Sequence, residues 1–139
     1  LYREPKNPFI AQFIGETNLV QGIYKESKEN VHTIETEFGM VHARSLEKLF
    51  STNQKVTLSI RPESIKATKM EKLSKQESFN TFPFTVKERT YLGESEQLRL
   101  ATNKNETLLA KIFNYTDDFS IHKTLNCFID PLDINIFPA

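Results

Sequence analysis

The sequence predicts an all-β chain, built as small Greek-key barrels of the OB type with one short helix at its N-terminal end. Short apolar runs alternate with polar residues along most of its length, so the dominant period is two rather than 3.6. Pro, Gly, Asn and Asp recur between those runs at the spacing of short strands and tight turns. Only one stretch, Phe9-Ile10-Ala11-Gln12-Phe13-Ile14, carries the apolar spacing of a surface helix.

That helix has signals at both ends. Asn7 can cap it, Pro8 takes the first helical position where no N–H is needed, and Gly15 closes it. Phe9, Ile10, Phe13 and Ile14 form a single stripe that needs a larger body to cover it. From Asn18 the period changes, and 19–24 and 31–36 read as two strands joined through the polar residues 25–30. Glu37-Phe38-Gly39 offers a turn, 40–43 a short strand, and Asn53-Gln54 a turn into 56–61. In that strand Val56, Leu58 and Ile60 alternate with Thr57, Ser59 and Arg61, and Pro62, which lacks a backbone donor, ends regular pairing. Residues 64–68 continue beyond the kink, and 69–78 read as an exposed polar connector.

The second half has the same style. Phe82, Phe84 and Val86 alternate with Pro83, Thr85 and Lys87 and lead into a bend at Gly93. Residues 96–102 and 107–113 form two strands around the turn Asn103-Lys104-Asn105, and 125–130 and 134–137 form the last two, separated by Pro131-Leu132-Asp133. The expected organisation is a helix and linker over 1–17, a first half of the β module over 18–68, the connector over 69–78 and a second half over 79–139. Domains below roughly 70 residues struggle to bury enough core alone, so the two halves are expected to share one.

Composition narrows the function. Of 139 residues 38% are hydrophobic and 26% charged, the balance of an ordered globular chain. Eighteen basic residues offset eighteen acidic ones, leaving no net field to attract a phosphate backbone. The single Cys127 can form no intramolecular disulfide, which fits a reducing compartment, and no apolar run reaches the length of a membrane span. The chain lacks an initiator Met and a signal-peptide pattern, and reads as a piece of something longer.

Three stretches occur in a telling order: 1–18, ending Phe13-Ile14-Gly15-Glu16-Thr17-Asn18; Ile60-Arg61-Pro62-Glu63; and Tyr91-Leu92-Gly93-Glu94. Together they resemble the C-terminal regulatory module, called TOBE, of ABC-importer ATP-binding subunits. Within that family 86–93 and Phe113-Asn114-Tyr115-Thr116-Asp117-Asp118-Phe119 look most similar to the subunit that drives spermidine and putrescine import. The resemblance implies a non-catalytic module that helps two subunits pair and gates the ATPase cycle. It also implies an upstream ATPase domain holding ATP and Mg, permease partners, and a place in the cytoplasm at the inner face of the membrane. This chain itself is expected to hold no cofactor.

The residues themselves offer little chemistry. No G-x-x-x-x-G-K-[ST] loop is present and the four glycines are scattered, so nothing cradles nucleotide phosphates. His32, His42 and His122 lie far apart without metal-ligand spacing, and Cys127 sits in an apolar strand as a structural thiol. The phenylalanines could form a base-stacking platform, yet their alternate positions without interleaved Lys or Arg read as core. Arg61 and Glu63 are candidate domain-contact residues, since an arginine fork can hold a carboxylate at two points, or else a solvated charged turn. Glu94, Glu96, Asp117 and Asp118 are candidate ligand carboxylates, or else plain soluble loop ends. If barrel closure brings them to one mouth, with Tyr91, Tyr115 and Phe119 nearby, they suit a polyamine bound weakly as a feedback signal. A barrel holding an oxyanion such as molybdate stays open as an alternative, and an oligonucleotide-binding barrel is disfavoured by the neutral charge.

Overall fold

The computed structural model describes residues 16–46, 50–69, 80–113 and 119–139. The expected helix, most of the connector and the pair Asp117-Asp118 lie outside those residues. The described elements are strands β1 (Asn18–Lys28), β2 (Val31–Thr36), β3 (Gly39–Arg44), β4 (Lys55–Ile60), β5 (Ile65–Lys69), β6 (Thr81–Tyr91), β7 (Glu96–Ala101), β8 (Thr107–Ile112), β9 (Thr124–Ile129) and β10 (Ile134–Pro138). Two 3-10 turns, Pro62–Ser64 and Pro131–Asp133, complete them. The fold is all-β, in two five-stranded antiparallel sheets ordered β10-β4-β1-β2-β3 and β5-β9-β6-β7-β8. Each belongs to one of two compact units: the residues up to Arg61 with Asp130–Ala139, and Pro62–Ile129.

In the first unit β1 runs four residues past the end expected from its apolar pattern, because a bulge between Tyr24 and Glu26 absorbs Lys25 and lets pairing with β2 resume. The connection then shrinks to Glu29-Asn30, both at positive φ (52° and 65°), the backbone that a two-residue type I′ hairpin requires. Val20, Tyr24, Ile34, Val41, Leu58 and Phe137 are among the buried side chains of this sheet. Its edge strands β3 and β10 approach each other, which curls the sheet towards a barrel.

The second unit is built the same way. β6 carries its own bulge between Val86 and Glu88, and its edge strands β5 and β8 approach each other. Phe84, Val86, Leu98, Leu100, Leu125 and Ile129 are almost entirely excluded from water, each worth about 1.5–3 kcal/mol. The likeness extends to single hydrogen bonds. At the first bulge Tyr24 N–H donates to Gln54 C=O (2.9 Å) and Tyr24 C=O accepts from Asn53 N–H (2.7 Å); at the second, Val86 N–H donates to Lys123 C=O (2.9 Å) and Val86 C=O accepts from His122 N–H (2.7 Å). Asn53 and His122 both take positive φ, 70° and 73°. Two sequences with little visible identity thus repeat one backbone plan.

Candidate functional site

The hairpin joining β6 and β7 carries more of the expected site than any other described element. Tyr91 lies opposite Glu96, and Leu92 N–H donates to Ser95 C=O (2.9 Å), which leaves Gly93-Glu94 as a two-residue tip. Gly93 has φ 94°, as the first position of a type II′ hairpin demands. At that tip Glu94 is exposed, Tyr91 is 71% exposed and Leu92 49%. Phe113, just past the end of β8, is 47% exposed, and the Lys111 ammonium stands 5.7 Å from its ring centroid. The phenylalanines therefore divide: Phe84, Phe119 and Phe137 are core, whereas Phe113 faces water.

Glu94 and Glu96 do not form a pair of outward carboxylates. The strand period turns Glu96 to the face shared with Leu98 and Leu100, where it is only 4% exposed and forms an ion pair with Nε of Arg89. Arg89 stands opposite Leu98 on that face, so its guanidinium offsets the buried charge of Glu96. Sequence spacing alone could not show this, because the bulge before Glu88 reverses the side on which every later β6 residue points. On the other face Glu88 accepts from Arg99 (3.1 Å), which holds the Glu88 carboxyl below its ordinary range through the hydrogen bond first and the charge second. Arg61, half-buried, follows β4 directly; Glu63 is exposed within the first 3-10 turn.

Two features escaped the sequence reading. His32 is wholly buried: its Nδ1 shares a hydrogen bond with Tyr24 Oη (2.5 Å), and its Nε2 donates to Ser45 C=O (3.2 Å). Because the carbonyl can only accept, the second bond places a proton on Nε2. The second is an open hollow of about 500 Å³ on the first unit, lined by Gln21, Ile23, Glu35, Glu37 and Lys55 among others. It exists because Ile23 on β1 faces Lys55 and Glu35 on the flanking strands. Its two carboxylates and one ammonium favour no single sign of ligand. Burial pushes the Cys127 thiol up to about 12, which makes it an inert core group. Among the described residues no cluster of three or more His, Cys, Asp or Glu could hold a metal, and no helix is long and apolar enough to cross a membrane.

A family model described as the TOBE domain matches residues 58–124, from the middle of β4 to the start of β9. The chain carries a TOBE domain. Over 136 residues it is 32% identical to the spermidine/putrescine import ATP-binding protein PotA of Acetivibrio thermocellus, an alignment covering 98% of this chain and 34% of that protein. The protein of the same name from Photobacterium profundum is 28% identical over 129 residues, covering 91% of this chain and 33% of the relative. The chain thus spans about a third of the length of the curated relatives it matches. Among solved structures, the cytoplasmic molybdate-binding protein ModG in its molybdate-bound form superposes with a TM-score of 0.76 at 12% identity, covering 88% of this chain and 96% of that one. The shared fold is the OB-like TOBE architecture. A TOBE module is regulatory and non-catalytic, and the relatives named above are spermidine/putrescine import ATP-binding proteins.

Proposed function

We propose that this chain is the regulatory module of an ATP-binding subunit that powers polyamine import, helping two subunits pair and gating their ATPase cycle. The observation that carries this reading is the 32% identity to a spermidine/putrescine import ATP-binding protein along 98% of the chain. ATP and Mg belong, in this reading, to the remaining two-thirds of such a subunit. Its further partners are a second copy of the subunit and the permeases at the inner face of the membrane. Polyamine feedback, if the module senses its cargo, uses outward groups such as Glu94 and Tyr91 together with Asp117 and Asp118, since Glu96 serves Arg89. Arg61 and Glu63 are proposed as domain contacts of the parent subunit. The fold shared with the molybdate-binding protein bears on architecture and not on ligand, so an oxyanion is the second reading.

A chimera tests the proposal. The 136-residue matching segment of the Acetivibrio thermocellus subunit is replaced by this chain, and spermidine uptake is measured in cells lacking their own ATP-binding subunit. Uptake restored to a substantial fraction of the unmodified subunit is expected. A chimera that assembles and hydrolyses ATP yet moves no spermidine refutes the polyamine assignment.

A further inference from the structure

The two units repeat one backbone plan, so the same row of side chains can be found in each, and one such row differs in kind. In the first unit Ile23, the residue before Tyr24, stands between Glu35 on β2 and Lys55 on β4. In the second, Thr85 holds the same place before Val86, between Ala101 on β7 and Thr124 on β9. That second row is closed on itself: the Thr85 and Thr124 hydroxyls share a hydrogen bond (3.2 Å) and Ala101 is buried. The first row instead sets opposite charges on either side of an apolar residue, and it lines the open hollow of about 500 Å³. Barrel construction does not call for those charges, since the second unit is built without them.

Neighbouring strands lie about 4.8 Å apart and side chains stand upright on a sheet, so the Glu35 carboxylate and the Lys55 ammonium rise about 10 Å apart over Ile23. Among the described residues no ion pair joins Lys55 to Glu35 or Glu37. We propose that this hollow binds a small zwitterion of the amino-acid type. Its ammonium is held by Glu35, with Glu37 from the turn after β2 adding to the negative side, its carboxylate by Lys55, and its short alkyl chain lies on Ile23. Gln21 belongs to the carboxylate end: its side-chain oxygen accepts from the Thr57 hydroxyl (3.3 Å), which leaves its amide NH2 to donate to the ligand. Charge-assisted hydrogen bonds take about 2.8 Å at each end and leave about 4 Å for the ligand's own charge separation, the span of a short amino acid. A simple cation would meet Lys55 and a simple anion would meet two glutamates, so only a ligand of both signs suits the whole lining. Glu35 and Lys55 are exposed, so each contact is worth a factor of up to about five and binding is weak. The assignment is independent of the cargo proposed above.

γ-Aminobutyrate is the probe, with butyrate and butylamine as single-charge controls of the same chain length, and binding is followed at the amide resonances of the intact chain. γ-Aminobutyrate is expected to shift the amides of residues 21–23, 35–37 and 55 saturably at millimolar concentration, and more tightly than either control by about two- to fivefold. Lys55→Gln and Glu35→Gln, both at exposed positions, should leave the rest of the spectrum in place and each weaken binding by about two- to fivefold. No saturable shift, equal binding of butyrate or butylamine, or binding untouched by both substitutions overturns the proposal. Tighter binding of spermidine at these same amides also overturns it, while leaving the uptake test of polyamine import standing.

Discussion

Gly22 is closely hemmed in by its neighbours, and replacing it by Ala is a sharp test of the first unit's packing. It sits within β1 between Thr36 on β2 and Val56 on β4, and a Cβ added there would meet Ile34 Cγ2 at 2.5 Å, Glu35 O at 3.0 Å and Thr36 Cγ2 at 3.3 Å. Neither near neighbour yields cheaply. Ile34 is 0% exposed and β-branched, so its methyl cannot swing aside without a new rotamer, and the Glu35 oxygen belongs to the paired backbone. Overpacking of this kind costs about 1–3 kcal/mol. Against it stands about 0.5–1 kcal/mol gained because Ala loses less chain entropy than Gly on folding. The expected net is a destabilisation of up to about 2.5 kcal/mol, read as a lower urea midpoint at unchanged slope. The partner is identified by a double-mutant cycle with Ile34→Ala, which deletes the offending methyl at its own cost of about 2–5 kcal/mol. In that background Gly22→Ala should cost nothing or stabilise. A stabilising Gly22→Ala in the unsubstituted chain, or the same cost in both backgrounds, refutes the contact as the reason for glycine.

Two further outcomes follow from the polar groups. Tyr24→Phe leaves the fully buried His32 Nδ1 without its hydrogen-bond partner, and a loss of about 1–3 kcal/mol in denaturant unfolding is expected, whereas a change below about 0.5 kcal/mol would show that the bond contributes little. Glu88 has a folded value below its ordinary 4.5, so its small stabilising contribution is complete above that pH and disappears as the pH falls through the folded value. In Arg99→Gln the carboxyl resonance of Glu88 should titrate close to 4.5 again, and an unmoved titration curve would mean that Arg99 is not the cause.

How far the site was legible is seen in one pair of residues. Glu94 and Glu96 stand two apart just after the bend expected at Gly93 and look equivalent as candidate carboxylates, yet one sits at a hairpin tip in water and the other is buried against Arg89. That an arginine meets Glu96 there is a matter of register. A bulge adds a residue to one strand and flips the facing of all that follow, and no side-chain pattern in β6 announces it, since Lys87, Glu88 and Arg89 are all polar. His32 was opaque for a related reason. A histidine alternating with Thr33 and Ile34 reads as a strand residue, and only the distant Tyr24 and Ser45 turn it into a satisfied buried group.

Strand positions were determined locally, by alternating apolar residues, by Pro62 and Pro131, and by turn residues such as Gly39 and Asn105; steric and solvation rules act on neighbours a few residues apart. The resemblance to TOBE modules rests on short motifs that are equally local. Which strand pairs with which was decided by tertiary structure alone. Nothing in 60–65 or 129–134 says that the chain changes sheets there, because a strand leaving a proline-led turn can complete its own sheet or another with the same hydrogen bonds. The choice depends on where the buried faces of Ile65, Ile134 and Phe137 find a partner surface, a property of the assembled cores.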